Sequence, residues 1–319
     1  MYTDIDSFLK DWRNPEHVFE IKTSGSTGLP KLMTLDRTLL QISANQTSHA
    51  IKNISAQPIV CCLPTDKMGG FMQLVRAAIW QVTCTIINPT NNPLLDFNDK
   101  PEGSISLSPM QLYNILLDED NKNKLAQFDT ILVGGASISA ILYNMLEGFE
   151  HPALYFTYGM TETYSHIALR KHPHLYFQLM DGYEKHLSEH NSLEVKGAIT
   201  KHQWLDTGDV VNFVDEDKFE IIGRIDNIIN TGGIKFSAEQ LEQEISKLYH
   251  KPFYISSIKD AVLGDKIALI VEDAIDVDLN LLNNSLKKAL GSNAKIRTII
   301  EDKIEVNLVT GKVKRVVSF

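Results

Sequence analysis

Apolar residues recur along this chain in two rhythms. Short apolar or β-branched runs at 58–63 (PIVCCL), 82–87 (VTCTII), 104–107, 129–133 (DTILV) and 153–157 alternate with segments of helical periodicity at 36–52, 70–80 (GFMQLVRAAIW), 109–117 and 138–147. Short runs bounded by turn formers read as strands, and apolar spacings of three and four read as helices. Strands alternating with helices predict an α/β sheet that is at least partly parallel. Ahead of them, Phe8, Leu9 and Trp12 share one face of a short amphipathic helix within residues 1–20. Beyond about residue 190 the texture changes to SLEVKG, DVVNFV and KFEIIG separated by turn residues, which predicts antiparallel β-structure. Residues 227–319 carry an α+β pattern of their own. Its first helix begins with Ser237 as N-cap and Gln240 three residues on, a capping-box spacing. Leu241, Ile245 and Leu248 then recur at helical spacing.

Composition narrows the class without deciding it. The 319 residues allow one large domain and a smaller one, and the 43% hydrophobic and 22% charged shares are those of an ordinary globular chain. The formal net charge of −9, with no basic run, demotes general nucleic-acid binding. It leaves room for a local anion site built from backbone N–H groups and a few lysines. Cys61, Cys62 and Cys84 are an odd number without a CxxC spacing, so they read as buried thiols rather than a disulfide framework or zinc site. The start MYTDIDSFLKDW lacks the form of a secretory signal, and no apolar run approaches the roughly 18 residues of a membrane span. The expected location is cytoplasmic.

The first candidate for chemistry is Thr23-Ser24-Gly25-Ser26-Thr27-Gly28-Leu29-Pro30-Lys31. Its glycines let backbone N–H groups approach a ligand, the hydroxyls of Ser24, Ser26 and Thr27 can donate to phosphate oxygens, and Lys31 adds a point charge. It is not a Walker A loop, because Leu29-Pro30 separates Gly28 from Lys31. A flexible turn is the plainer alternative, which the Pro-Lys ending weakens. The segment resembles the phosphate loop of the adenylate-forming superfamily, the acyl-CoA synthetases, luciferases and peptide-synthetase adenylation domains.

Further segments resemble that superfamily in the same order. Thr157-Tyr158-Gly159-Met160-Thr161-Glu162-Thr163 is similar to its TYGMTE segment. The resemblance implies a Tyr158 ring against adenine, a Thr161 hydroxyl on the α-phosphate and Glu162 holding Mg²⁺ with phosphate oxygens. A helix N-cap followed by a first-turn acid is the structural alternative. Gly134-Gly135-Ala136, after DTILV, matches the adenine-side loop, with a tight βα turn as alternative. Asp206-Thr207-Gly208-Asp209 resembles the TGD motif, in which Asp209 would accept from the ribose hydroxyls. Gly223-Arg224-Ile225-Asp226 would supply Arg224 to ribose or phosphate and Asp226 as an interdomain hinge. Thr231-Gly232-Gly233-Ile234-Lys235 would place Gly232 and Gly233 beside the pantetheine arm of coenzyme A. Thr310-Gly311-Lys312 resembles the catalytic-lysine motif, with Lys314 as a poorer fit.

The implied architecture is a large N-terminal α/β domain (1–223) of partly parallel sheets with a small antiparallel part, a hinge (224–226) and a small mobile α+β C-terminal domain (227–319). Implied reactants are ATP, Mg²⁺, a small-molecule carboxylate and coenzyme A. Leu63–Gly70 (LPTDKMGG), Ser106–Leu112 (SLSPMQL) and 158–170 (YGMTETYSHIALR) look most like the o-succinylbenzoate–CoA ligases of menaquinone biosynthesis. Such an acid carries two carboxylates, and the unreactive one requires a cationic or hydrogen-bonding partner. Arg76 and Lys67 are candidates, with Gly69 and Ser165 beside them in the acyl pocket. A snorkelling arginine on a helix flank is the alternative for Arg76. Superfamily members carry a much longer segment ahead of the phosphate loop, so uncovered apolar surface and homodimerisation are expected. Another carboxylate, a carrier-protein thiol as acceptor, and an inactive nucleotide-binding relic are the competing functions.

Overall fold

The computed structural model describes residues 1–23 and 31–304. The chain opens with α1 (Ile5–Arg13), β1 (Phe19–Thr23) and β2 (Lys31–Leu35). It continues through α2 (Arg37–Ala50), β3 (Ile59–Cys61), α3 (Met68–Trp80), β4 (Cys84–Ile86), β5 (Ser104–Leu107), α4 (Pro109–Leu116), α5 (Glu119–Leu125), β6 (Thr130–Val133), α6 (Ala140–Leu146) and β7 (Leu154–Met160). Six strands follow: β8 (Ser165–Lys171), β9 (Phe177–Leu179), β10 (Tyr183–Leu187), β11 (Ser192–Gly197), β12 (Leu205–Phe213) and β13 (Lys218–Arg224). The last elements are β14 (Ile228–Thr231), β15 (Ile234–Ser237), α7 (Ala238–Ile245), β16 (Phe253–Asp260), β17 (Gly264–Val271), α8 (Leu279–Leu290) and β18 (Ile296–Glu301).

Eleven strands form one sheet in the order β10-β11-β12-β13-β9-β8-β7-β6-β5-β3-β4. From β4 to β7 every neighbouring pair is parallel, and from β7–β8 onward the pairs are antiparallel. The expected α/β class is therefore present, with both textures joined in one sheet. The parallel strands β3, β5 and β6 are buried along their whole length, as parallel strands covered by helices are. A second sheet, β15-β14-β17-β16 with β18 parallel to β17, packs with α7 and α8 around its own core of Leu241, Ile245, Ile255, Leu269, Leu282 and Leu286.

The helices form where their sequences direct. Asp4 caps α1 through the Ser7 N–H. Phe8 is fully buried, with the rings of Trp12, Phe19 and Phe71 within 5.6–5.8 Å of its own. Arg37 holds this segment in place by donating to the carbonyls of Trp12 (2.7 Å), Asn14 (2.8 Å) and His17 (3.1 Å). Ser237 caps α7 through the N–H groups of Glu239 and Gln240, and donates its own proton to Glu239. The helical spacing that extends to Leu248 overreaches: α7 stops at Ile245, and Leu248 is 41% exposed.

Candidate active site

Three of the nucleotide-site candidates form one hydrogen-bonded group. Asp209 on β12 and Arg224 on β13 are cross-strand partners. Arg224 Nη1 donates to Asp209 Oδ1 and to the Thr207 carbonyl, both at 3.0 Å. The Tyr158 hydroxyl, from the end of β7, donates to Asp209 Oδ2 at 2.7 Å. Both carboxylate oxygens are therefore engaged within the fold. Burial raises the Asp209 carboxyl above its ordinary range, against the lowering effect of Tyr158 and Arg224. The Tyr158 ring is packed between Phe177 (5.9 Å) and Phe219 (5.6 Å), and only 8% of the residue is exposed. In this arrangement Tyr158 acts on Asp209 through its hydroxyl and offers little ring surface for stacking. Asp226, in the 3₁₀ turn Ile225–Asn227, lies 3.7 Å from Arg224 with its side chain 60% exposed.

Gly134, Gly135 and Ala136 leave β6 at the sheet's carboxyl edge, beside the start of Thr157–Thr163. Gly134 is required there, because a Cβ would fall 2.1 Å from Thr157 Oγ1. Gly159 sits at the β7–β8 irregularity. Thr161 and Glu162 occupy the 3₁₀ turn that follows, held by Thr163, whose hydroxyl serves the Met160 N–H (2.9 Å) and the Ser165 carbonyl (2.7 Å). Glu162 is exposed and lines an open depression of about 230 Å³ with Leu39, Tyr164, Ile199, Lys201 and Trp204. A single exposed carboxylate suits Mg²⁺, which keeps several waters and takes its remaining ligands from substrate phosphates. Among the described residues no group of three metal-ligating side chains exists.

A second polar group lies inside the fold. Helix α3 is buried from Gly70 to Ala77, yet it carries Gln73 and Arg76 one turn apart. Gln73 donates to Ser106 Oγ at 2.7 Å. Arg76, 2% exposed, donates through Nη2 to Ser165 Oγ at 2.8 Å and Thr47 Oγ1 at 3.3 Å. Its Nε has no partner, and among the described residues no carboxylate pairs with it. Desolvation alone lowers the guanidinium to about 10. His166 completes the group, with Nε2 3.0 Å from Thr47 Oγ1 and Nδ1 3.4 Å from Ser165 Oγ. Burial and then Arg76 hold this imidazole neutral, well below the usual histidine range. The snorkelling alternative for Arg76 is thus overturned, since its head group lies in the interior.

Other candidates are elsewhere. Lys67 is exposed at the N-cap of α3, with Gly69 beside it; nine residues of helical rise put it about 13 Å along the axis from Arg76. Gly232 and Gly233 form an exposed two-residue turn between β14 and β15, with φ of 60° and 80° as a type I′ turn demands. They belong to the five-stranded sheet. Ser24, Gly25, Ser26, Thr27, Gly28 and Lys312 lie outside the described residues, as do the side chains of Thr23 and Lys31. The backbones of Thr23 and Lys31 pair at the end of the β1–β2 hairpin. Sequence reasoning missed Thr47, Gln73 and His166. A signal existed for Gln73: two polar residues three apart inside an otherwise apolar helix.

Comparison with known proteins decides the family. Residues 10–187 match the family described as AMP-binding enzyme. This chain belongs to that family. Among curated relatives, the AMP-binding chain is 30% identical over 247 residues to the 2-succinylbenzoate–CoA ligase of Haemophilus influenzae, covering 70% of this chain and 52% of that protein. It is 23% identical to the naringenin synthase of Pestalotiopsis fici, over 88% of this chain and 12% of that one. The chain therefore spans about half the length, or less, of the curated relatives it matches. Among solved structures, an acyl-CoA synthetase (AMP-forming)/AMP-acid ligase II-like protein from Dyadobacter fermentans aligns at 30% identity and TM-score 0.63, over 97% of this chain and 91% of that one. The o-succinylbenzoate CoA synthetase of Bacillus subtilis, in complex with its acyl-adenylate intermediate, aligns with a TM-score of 0.76 over 92% and 67%. At 19% identity it shows the shared fold alone.

Proposed function

We propose that this chain is an acid–thiol ligase: it joins a carboxylate to AMP from ATP and passes the acyl group to coenzyme A. The acid is o-succinylbenzoate, which places the reaction in menaquinone biosynthesis. The observation that carries the substrate reading is Arg76: a buried cation that touches the Ser165 hydroxyl and has no carboxylate partner among the described residues. A buried charge needs compensation, so Arg76 supports an anionic group of the ligand beside it. An aromatic keto acid with a second carboxylate supplies it. Support from relatives is the Haemophilus influenzae ligase, whose name carries the same acid.

In this reading the Thr23–Lys31 loop holds the β- and γ-phosphates. Asp209, preset by Tyr158 and Arg224, accepts the ribose hydroxyls, and Gly134–Ala136 lines the adenine. Mg²⁺, held at Glu162, supplies charge neutralisation on the pyrophosphate when bound. Thr161 orients the α-phosphate while the substrate carboxylate attacks it, and Lys312 stabilises the charge that develops between acyl and ribose oxygens. This is positioning and electrostatics more than proton transfer. Residues 1–223 act as the nucleotide-binding domain, 224–226 as the hinge and 227–319 as the lid. Rotation about exposed Asp226 withdraws Lys312 and brings Gly232-Gly233 to the incoming thiol. Two copies associate as a homodimer in the cytoplasm, which sedimentation of the purified chain would test.

The deciding experiment is pyrophosphate release with ATP and Mg²⁺ over a panel of carboxylic acids, with and without coenzyme A. Release specific to o-succinylbenzoate, with thioester formed and activity lost in Lys312→Ala, establishes the reading. Release with a different acid retains the mechanism and discards the substrate. ATP binding without release from any acid marks an inactive relic.

A further inference from the structure

The hydrogen bonds around His166 cannot all hold their protons in one arrangement once an anion arrives. Thr47 has one hydroxyl proton, and it donates that proton to the Ser43 carbonyl at 3.1 Å. With the proton placed there, its oxygen accepts from both Arg76 Nη2 and His166 Nε2. In that arrangement the neutral ring carries its proton on Nε2, and Nδ1 is a bare acceptor facing Ser165. Ser165 Oγ accepts from Arg76 and turns its own proton toward Nδ1. In that state the hydroxyl beside Arg76 has no proton to offer a ligand.

A carboxylate seated against Arg76 and Ser165 changes the count. The Ser165 proton is drawn to the anion, and Nδ1 is left buried without a donor, a desolvated acceptor with nothing to satisfy it. The other neutral tautomer removes the cost. With the proton on Nδ1, the ring donates to Ser165 Oγ, and Thr47 turns its hydroxyl from the Ser43 carbonyl to Nε2. One proton leaves Nε2 and one reaches Nδ1, so the ring stays neutral. The Ser43 carbonyl, inside α2, keeps the helical N–H of Thr47 within its reach.

We propose that His166 is a positioning residue whose tautomer, set between Thr47 and Ser165, decides whether the Ser165 hydroxyl can donate to the second carboxylate of the substrate. The inference rests on the carboxylate-pocket reading given above for Arg76. It adds a residue that does not touch the substrate but governs one that does. The second carboxylate is accepted by a side-chain proton made available only on binding, in addition to a fixed charge.

The test uses the full chain labelled with ¹⁵N-histidine, the His166 signals being assigned by their loss in His166→Gln. The free protein is expected to show the Nε2–H tautomer, and saturation with o-succinylbenzoate the Nδ1–H tautomer. The same keto acid lacking its second carboxylate should leave the Nε2–H form in place. Kinetics supply the second arm. In asparagine the amide nitrogen branches from Cγ, as Nδ1 does, whereas in glutamine it branches one carbon further out, near Nε2. His166→Asn should hold KM for o-succinylbenzoate within a few-fold. His166→Gln should raise it ten- to a hundred-fold, with kcat and the KM for ATP little changed. An acid that binds, by calorimetry, without moving the tautomer would overturn this inference and leave the pocket intact, as would equal effects of the two variants. An acid that does not bind at all sinks the pocket reading and this inference with it.

Discussion

Replacing Arg76 with methionine separates a functional charge from a structural one. The guanidinium lies on a buried helix, and burial lowers it from the ordinary arginine range to about 10. That difference is worth roughly 3 kcal/mol against folding with the group charged. The sign follows from the two states. The folded value lies below the unfolded one, so the native chain binds fewer protons between about 10 and the ordinary arginine value above it. Stability falls as pH drops through that window and stays at its lower level at neutral pH. Arg76→Met removes the charge and its unpartnered Nε, and forfeits two hydrogen bonds worth about 1 kcal/mol each. Ser165 and Thr47 keep other contacts, to His166 and the Ser43 carbonyl. The net expectation is a gain of about 1 kcal/mol, a rise of a few degrees or less in the thermal midpoint of a chain this size. Added o-succinylbenzoate should raise the wild-type midpoint further, by the equivalent of about 2.7 kcal/mol at a hundred times its dissociation constant, and leave the variant where it was. Differential scanning calorimetry with and without the acid reads all four states. A variant that melts several degrees lower and still responds to the acid would refute the argument, because Arg76 would then be a structural keystone.

Gly134→Ala should destabilise the chain by about 1–3 kcal/mol through the 2.1 Å approach to Thr157 Oγ1, and Thr157→Ala should restore part of the loss in the double variant, read by urea unfolding. Arg224→Ala strips one charged donor from Asp209 and should weaken AMP binding roughly ten- to a hundred-fold by calorimetry; an unchanged affinity would detach this pair from the ribose site. Tyr158→Phe removes a hydrogen bond that lowers the Asp209 carboxyl, so Asp209 should titrate at higher pH than in the parent. The acid limb of the pH profile for ATP affinity should move upward with it, and a stationary limb would show that Asp209 is not the group titrating.

What could be read from the one-dimensional chain is what local stereochemistry determines. Helices α2, α3 and α4, strands β3 to β7 and the Ser237 cap follow from side-chain period and capping chemistry, which depend on residues a few positions apart. The motif spacings were legible for the same reason, since each motif is drawn from neighbouring residues. The end of α7 was not, because Leu248 fits the period while the packing that would bury it stops at Ile245. Nor could spacing show that Tyr158 spends its hydroxyl on Asp209, 51 residues away. The polar group around Arg76 is the extreme case: Arg76 meets Thr47 across 29 positions and Ser165 across 89, and Thr47 meets His166 across 119. Hydrophobic burial brings α2, α3 and β8 together without regard to these polar groups. Only the packed structure decides that a cation, two hydroxyls and a neutral imidazole share one buried hydrogen-bonded group, because the cost of desolvating them exists only once water is gone.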